Sequence, residues 1–414
     1  MTGRRTMRFA AVAGGAVVAI ALAGCGSDGG AEGSDASTTL VWNMWTGSTA
    51  EADAWMQIAE MVTEEYPEIT LEFETSSFPD YWTKLAAQAS GGDAACILGV
   101  QSLRAPSIEQ LLLPLDDLIA ASDVDLSEFN SSIIGALQLN GAQVALPYDF
   151  GPQVMFYNAT RFQEVGVPEP TVGWTVEDFE SAAKALTTDD TYGFALFPTL
   201  DTIEPWSRSM EGVAPVTDEG EIDLLQPGFV STVEWYTGLV TEQQVAAPIT
   251  ATPPSLALDR FAAGDAAMVV DGPWQTINIS GQADFEVGIA PMPAGDNGSV
   301  SQVAGSGFGI SETCENPEAA MKAISVMTGP DALQYLAEQG RAYPARTAQQ
   351  EVWFTAELTG VQEGLEAAIT NSVTPQSTAN YTQVSALFSQ YAVEAVNGQR
   401  DATTFLESVQ QRVP

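Results

Sequence analysis

The chain has 414 residues, 45% of them hydrophobic, with 14 Lys and Arg against 54 Asp and Glu and a formal net charge of −40. That length exceeds one ordinary core and implies two domain-sized units, and so negative a surface repels phosphate backbones and anionic headgroups, which argues against nucleic-acid binding. There is no histidine and there are only three cysteines, so Ser-His-Asp and Cys-His nucleophiles, His-ligated metals and Cys-rich metal sites are excluded. What remains for catalysis is carboxylate pairs or lysine chemistry, and lysine occurs only at Lys84, Lys184 and Lys322. The composition implies no cofactor and no metal.

The first 25 residues read as an export signal. Arg4, Arg5 and Arg8 give a positive start, an apolar run follows from Phe9 to Leu22, and Leu22-Ala23-Gly24-Cys25 ends it. This is the layout of a secretory signal, too short for a comfortable membrane span. Its last four residues resemble the bacterial lipobox, which implies lipid on Cys25 and tethering to the outer membrane face. Arg4-Arg5 hints at twin-arginine export, although Thr6-Met7-Arg8 fits that motif poorly. Three of the 14 basic residues precede Cys25 and no acid does, so cutting there leaves 11 against 54, a charge of −43. Residues 26–38 are Gly, Ser, Asp and Ala with little else, a flexible tether. In an oxidising compartment Cys96 and Cys314 either pair or stay buried as separate small hydrophobes.

Beyond the tether, strand and helix patterns alternate. Thr39 to Trp42 reads as a strand, and Trp55, Ile58, Ala59 and Val62 hold helical spacing up to Pro67. Ile69, Leu71 and Phe73 alternate with polar residues, a helix runs from about Asp80 to Ser90, and Ala95 to Val100 is apolar. Such a β-α-β-α-β opening implies a parallel sheet with right-handed crossovers. Phe150 to Asn158 reads as a strand, and Thr175 with Asp178 as a capping box opening a helix to about Thr187. A helix at 230–240 and a short one ending at Gly264 follow. Strands are expected at 267–270, 285–289 and 307–311. Pro317 starts a helix, and from about Gln349 the chain is mostly helical, with Asp401 capping the last helix. Sheet signals stop at Ile310 although about 100 residues follow, so a chain that crosses between two lobes more than once accommodates them.

Several segments together resemble the extracellular solute-binding proteins of sugar ABC importers, the family of the maltose-binding protein. They are Phe78-Pro79-Asp80-Tyr81-Trp82 running to Gly91-Gly92, Leu146-Pro147-Tyr148-Asp149 with Phe156-Tyr157-Asn158, and Gly173-Trp174-Thr175 to Phe179. To these add Phe261 to Gly264 leading into Gly272-Pro273-Trp274, Pro291-Met292-Pro293, Gly305-Ser306-Gly307 and Gly340-Arg341-Ala342-Tyr343-Pro344. The match spans nearly all of residues 39–414. It departs at Ala94-Ala95-Cys96-Ile97, where the family usually carries Ala-Pro-Asp-Val, so an Asp common at the cleft edge is missing. The resemblance implies an α/β, two-lobed periplasmic-binding-protein-like fold of type II. Each lobe would be a mainly parallel sheet flanked by helices, and a hinge with two or three crossings would join them. The implied boundaries are 39–148 plus 303–341 for lobe 1 and 149–302 plus 342–414 for lobe 2. The implied partners are a small-molecule sugar, ABC permease subunits with a cytoplasmic ATPase, and the membrane through the lipid on Cys25. The protein is expected to be a monomer.

A sugar presents C–H faces and hydroxyl edges, so its site needs aromatic plates and polar side chains for each hydroxyl. Trp274, on a proline-stiffened turn beyond a strand, matches the family's stacking tryptophan; otherwise it caps that strand's core. Trp45 and Thr46 lie at the carboxyl end of the first strand, where open α/β sheets place ligands. Tyr148 and Asp149 fall at the implied first hinge crossing, with a turn or cap role as the alternative for Asp149. Gly305 and Ser306 match a segment whose amides approach ligand. Arg341 is either a fork for two hydroxyls or half of a surface ion pair, and Tyr343 shares its segment. Gln101, Ser102 and Trp206 are candidates by position, Asp80 and Tyr81 are within reach of the cleft, and Asp80 alternatively caps its helix. Two other readings stand beside this one. A receptor for a glycerophosphodiester, polyol or polyamine would need, for phosphate, a basic cluster from Arg341, Arg104 and Arg208. A two-carboxylate glycosidase is the enzymatic reading, but no eightfold β/α repeat is visible.

Overall fold

The computed structural model describes residues 37–92, 94–249, 256–354 and 361–413. The expected export signal, the expected lipid site at Cys25 and almost all of the expected tether lie outside the described residues. Among the described residues no helix is long and apolar enough to cross a membrane.

The larger sheet forms where β-branched and aromatic residues can be buried on both faces. Its strands are β1 (Thr38–Trp45), β2 (Ile69–Ser76) and β3 (Ile97–Gln101). β1 lies between the other two, parallel to both, so the expected β-α-β-α-β unit is present. The helices Thr49–Glu65 and Phe78–Gly91 make its crossovers. The first buries Trp55, Ile58 and Val62 and is capped by Ser48, whose side chain accepts from the Glu51 amide. A short hairpin, β4 (Gln138–Leu139) with β5 (Ala142–Gln143), leads into β6 (Leu146–Pro152), and β7 (Val154–Asn158) follows at once. The predicted strand at 150–158 is therefore two strands that break at Gln153.

β7 leaves the larger sheet for a smaller one, pairing with β8 (Met268–Asp271) and β9 (Val287–Ala290). Both ladders are antiparallel, which corrects the expectation of a mainly parallel sheet in the second lobe. Side-chain alternation places this sheet between two cores: Phe156, Val269 and Ile289 join one, while Met155, Tyr157, Met268 and Val270 join the other. The second core is completed by the helices Val176–Leu186, Leu200–Glu211, Pro227–Thr241, Tyr381–Val396 and Ala402–Gln410. The predicted capping box at Thr175 and Asp178 and the cap at Asp401 are formed.

β10 (Ser301–Ile310) returns to the larger sheet, antiparallel to both β3 and β6. It is longer than its apolar signal because its glycines carry no hydrophobic pattern. Those glycines permit close approach: a Cβ on Gly307 would lie 2.5 Å from the Leu146 carbonyl oxygen. β11 (Ser372–Val373) pairs with the first residues of β10.

Cys96, before β3, and Cys314, after β10, form a disulfide across 218 residues, with 4.6 Å between their Cα atoms. Constraint of so long a loop in the unfolded chain stabilises the fold by about 2–5 kcal/mol. Cys96→Ser with Cys314→Ser is therefore expected to lower the melting midpoint by about 3–6 °C for a chain this size. Non-reducing calorimetry of the two forms checks this, and equal midpoints would show that the bridge contributes nothing.

Candidate functional site

The passage between the sheets runs along β6, the start of β10 and the segment 341–345. Asp149 bridges to Pro344, the Phe150 amide donates to the Tyr343 carbonyl at 3.2 Å, and β10 pairs with β6 alongside. Side chains from both cores meet over this passage.

On the larger-sheet side stands an aromatic wall. Trp45 ends β1, and its ring lies 5.2 Å from Phe78, 5.2 Å from Tyr81 and 5.6 Å from Trp82. Arg104, three residues beyond β3, lays its guanidinium over this wall, 4.7 Å from Phe78 and 5.7 Å from Trp82. It donates to Gln101 Oε1 at 3.2 Å and reaches Asp201 Oδ2 at 3.3 Å.

Asp201 belongs to the other side. It lies in the first turn of helix Leu200–Glu211, capped by Thr199, where a carboxylate is favoured by the helix dipole. The Tyr381 hydroxyl donates to Asp201 Oδ1, and Gln302 Nε2 donates to the Asp201 carbonyl oxygen at 2.9 Å. The Arg104–Asp201 pair thus spans from one core to the other. Burial and the adjacent Asp201 and Glu204 charges push the Tyr381 hydroxyl well above its ordinary range, so it stays a donor.

Trp274 sits just past β8 and is half-buried. Among the described residues it makes none of the ring–ring contacts that hold the other cleft aromatics. Its indole folds back over Gly272, where a Cβ would lie 2.1 Å from the ring. The adjacent Pro273 presses on Gly151 of β6, where a Cβ would come within 2.8 Å of Pro273 Cδ. Both close approaches need glycine. Asp271 accepts from the Gly272 amide at 2.8 Å and Gln275 Nε2 at 3.1 Å. Burial pushes its carboxyl up to about 6, against the pull of those donors.

Two oxygens at the passage, Gln153 Oε1 and Gln302 Oε1, and a third beyond Trp274, Asn278 Oδ1, are buried and without a hydrogen-bond partner. The site is accordingly rich in acceptors, with one guanidinium as its charged donor. Among the described residues no group of His, Cys, Asp and Glu is placed to hold a metal.

Of the residues expected to line a groove over this passage, Trp45 and Gln101 stand on the larger-sheet side beside Arg104, and the turn of Trp274 adjoins β6 through Pro273. Thr46 lies at the groove's rim, bonded to Thr75 Oγ1 at 2.8 Å. Other expected contacts are corrected. Trp206 is fully buried in the second core, 4.9 Å from both Phe179 and Trp235, because its helix turns that face inward. Tyr81 is buried, its hydroxyl spent on the Gly99 carbonyl at 2.8 Å. Tyr148 stacks on Phe308 at 4.9 Å, also fully buried. Tyr343 packs edge-on against Phe150 and Trp353. Asp80 is exposed and closes its helix start with Ser77 at 2.7 Å. The Gly305 and Ser306 amides are taken by Ser102 Oγ at 3.4 Å and Asp149 Oδ1 at 2.8 Å.

Arg341 and Asp149 belong to an internal ion cluster. Arg341 is 2% exposed, with Nε 2.6 Å from Glu51 Oε1 and Nη1 3.4 Å from Asp149 Oδ2. It is neither a ligand fork nor a surface pair. Sequence reasoning missed Asp201, Asp271, Gln302 and Tyr381, and had Arg104 only as a phosphate contact. Asp271 alone had a local signal, its place before Gly272-Pro273-Trp274.

The profile of the family described as bacterial extracellular solute-binding protein matches residues 57–361. The chain belongs to this family. Among solved structures, this solute-binding protein is similar to ABC substrate-binding protein Lmo0181 of Listeria monocytogenes, solved with cycloalternan. That likeness has a TM-score of 0.84 and 22% identity over 91% of this chain and 97% of that one. It is also similar to the GacH receptor of Streptomyces glaucescens, described with acarbose, with a TM-score of 0.78 and 19% identity over 90% and 96%. UgpB of Mycobacterium tuberculosis, solved with glycerophosphocholine, gives 0.76 and 18% over 90% and 97%. A curated binding protein of Brucella abortus is 23% identical over 240 residues, covering 56% of this chain and 58% of that relative's length.

Proposed function

We propose that this chain is the solute-capturing component of an ABC importer and binds an uncharged carbohydrate, a di- or oligosaccharide, in the groove described above. Lobe 1 would comprise 39–148 and 303–341 and lobe 2 149–302 and 342–414, closing on ligand about the passage at β6 and β10. Export and lipidation at Cys25 would hold the protein at the outer membrane face, where it hands solute to the permease. It would act without catalysis.

The observation that carries this reading is the half-buried Trp274 indole, which donates to Asp271 just past β8, with the Gln153 and Gln302 amide oxygens unpartnered along the neighbouring passage. An apolar plate with many acceptors suits a ligand whose edge is a row of hydroxyl donors. Phosphate is disfavoured by the same site. Arg104 carries Asp201, Arg208 carries Glu204 at 2.7 Å, and Arg341 carries Glu51 and Asp149. None of these cations is left for an anion. The neighbours that bind cycloalternan and acarbose support the carbohydrate side.

A thermal-shift screen tests this, using mono-, di- and oligosaccharides with glycerophosphocholine and spermidine alongside. A cognate sugar at about 100 times its Kd stabilises by about 2.7 kcal/mol, or about 3–4 °C. A shift with glycerophosphocholine or spermidine, and none with any sugar, would overturn the assignment.

A further inference from the structure

Arg341, a ligand fork by expectation, is instead buried on the larger-sheet side, where its partners lie on the helix Thr49–Glu65 and on β6. Its guanidinium stacks over Trp55 at 4.7 Å and Tyr148 at 5.5 Å, and donates to the Tyr148 hydroxyl at 3.3 Å. Its two carboxylate partners each hold a backbone amide. Glu51 accepts from the Gly47 amide at 2.7 Å through Oε2 while Oε1 faces Arg341. Asp149 accepts from the Ser306 amide through Oδ1 while Oδ2 faces Arg341. Gly47 follows Trp45 and Thr46 on the rim, where its Cβ position lies 3.3 Å from Asn278 Nδ2 beyond Trp274. Ser306 belongs to the strand that carries Gln302 to Asp201.

We propose that Arg341 is a positioning residue for the binding groove, fixing the Trp45–Gly47 rim through Glu51 and the β10 segment through Asp149. This rests on the groove being the binding site, but its test needs no ligand.

The charges give the arrangement a signature. One cation faces two carboxylates in a dry site, so the cluster is neutral when one of them is protonated and carries a net negative charge when both are ionised. Burial pushes Asp149 up to about 7, Glu51 adds to the rise, and Arg341 and the Ser306 amide oppose it. The groups facing Asp149 are Arg341, Glu51, Tyr148 and the Ser306 amide. Because its carboxyl is raised above the unfolded value, the stability it contributes is present at low pH and is lost as pH rises through about 7.

Hydrogen exchange of the ligand-free mature protein between about pH 5.5 and about pH 8.5 is the experiment, scored as protection factors so that intrinsic rates cancel. Wild type should lose protection at Ser306 as pH rises toward about 7 and level off above it, and Asp149→Asn should flatten that dependence. Arg341→Met should lower protection at the Gly47 and Ser306 amides by about tenfold or more, with β7 and β8 unchanged, and Arg341→Lys should restore part of it. Unchanged protection at both amides in Arg341→Met, or a uniform loss reaching β8, would overturn the proposal. So would a pH step that persists in Asp149→Asn, a readout that stands if Arg341→Met does not fold. A failed sugar screen would leave all these results in place, so the two readings fail separately.

Discussion

Trp274→Ala is expected to weaken binding of the cognate sugar by about 2.5 kcal/mol, roughly 70-fold in Kd, with little change in the fold. The indole is half-buried and, among the described residues, outside the ring–ring packing of either core, so truncation removes the plate proposed to face the ligand rather than a core side chain. A ring face of about 100 Å² covered by sugar contributes about 25 cal/mol per Å². Loss of stability should stay near about 1 kcal/mol, as for a partly exposed site. Titration calorimetry on a sugar from the screen, paired with melting of the free protein, separates the two quantities. Unchanged affinity would remove Trp274 from the site.

Trp206→Ala should behave in the opposite way. This indole is 0% exposed, between Phe179 and Trp235 and 6.3 Å from Phe194. Truncation leaves a cavity that the surrounding helices fill only partly, at a cost of about 3–5 kcal/mol. The melting midpoint should drop by about 4–6 °C. Sugar affinity of the protein that remains folded should stay within about threefold of wild type, because no atom of the ring faces the groove. A selective loss of affinity at unchanged stability would restore Trp206 to the ligand-binding set. On the proposed function, the same residue type would serve stability at one position and recognition at another.

What the sequence determined by itself lies in patterns a few residues long. The apolar runs around β1 and β3, the alternation in β2, the capping box at Thr175 and the proline turn before Trp274 are set by neighbours on the chain. Backbone sterics and local hydrogen bonds act over that range. The quoted segments, spread over most of the chain, also carried the family.

The tertiary structure alone decided which side chains meet. Arg104 and Asp201 are 97 positions apart, Asp201 and Tyr381 180, and Arg341 and Asp149 192. No local pattern encodes those pairings. Nor does any encode burial of Arg341, since an arginine in the sequence looks the same whether water or two carboxylates surround it. The antiparallel pairing of β7 with β8 and β9 was hidden for the same reason. A strand's own residues specify that it is extended and which face is apolar, whereas its partner's direction depends on where distant segments pack.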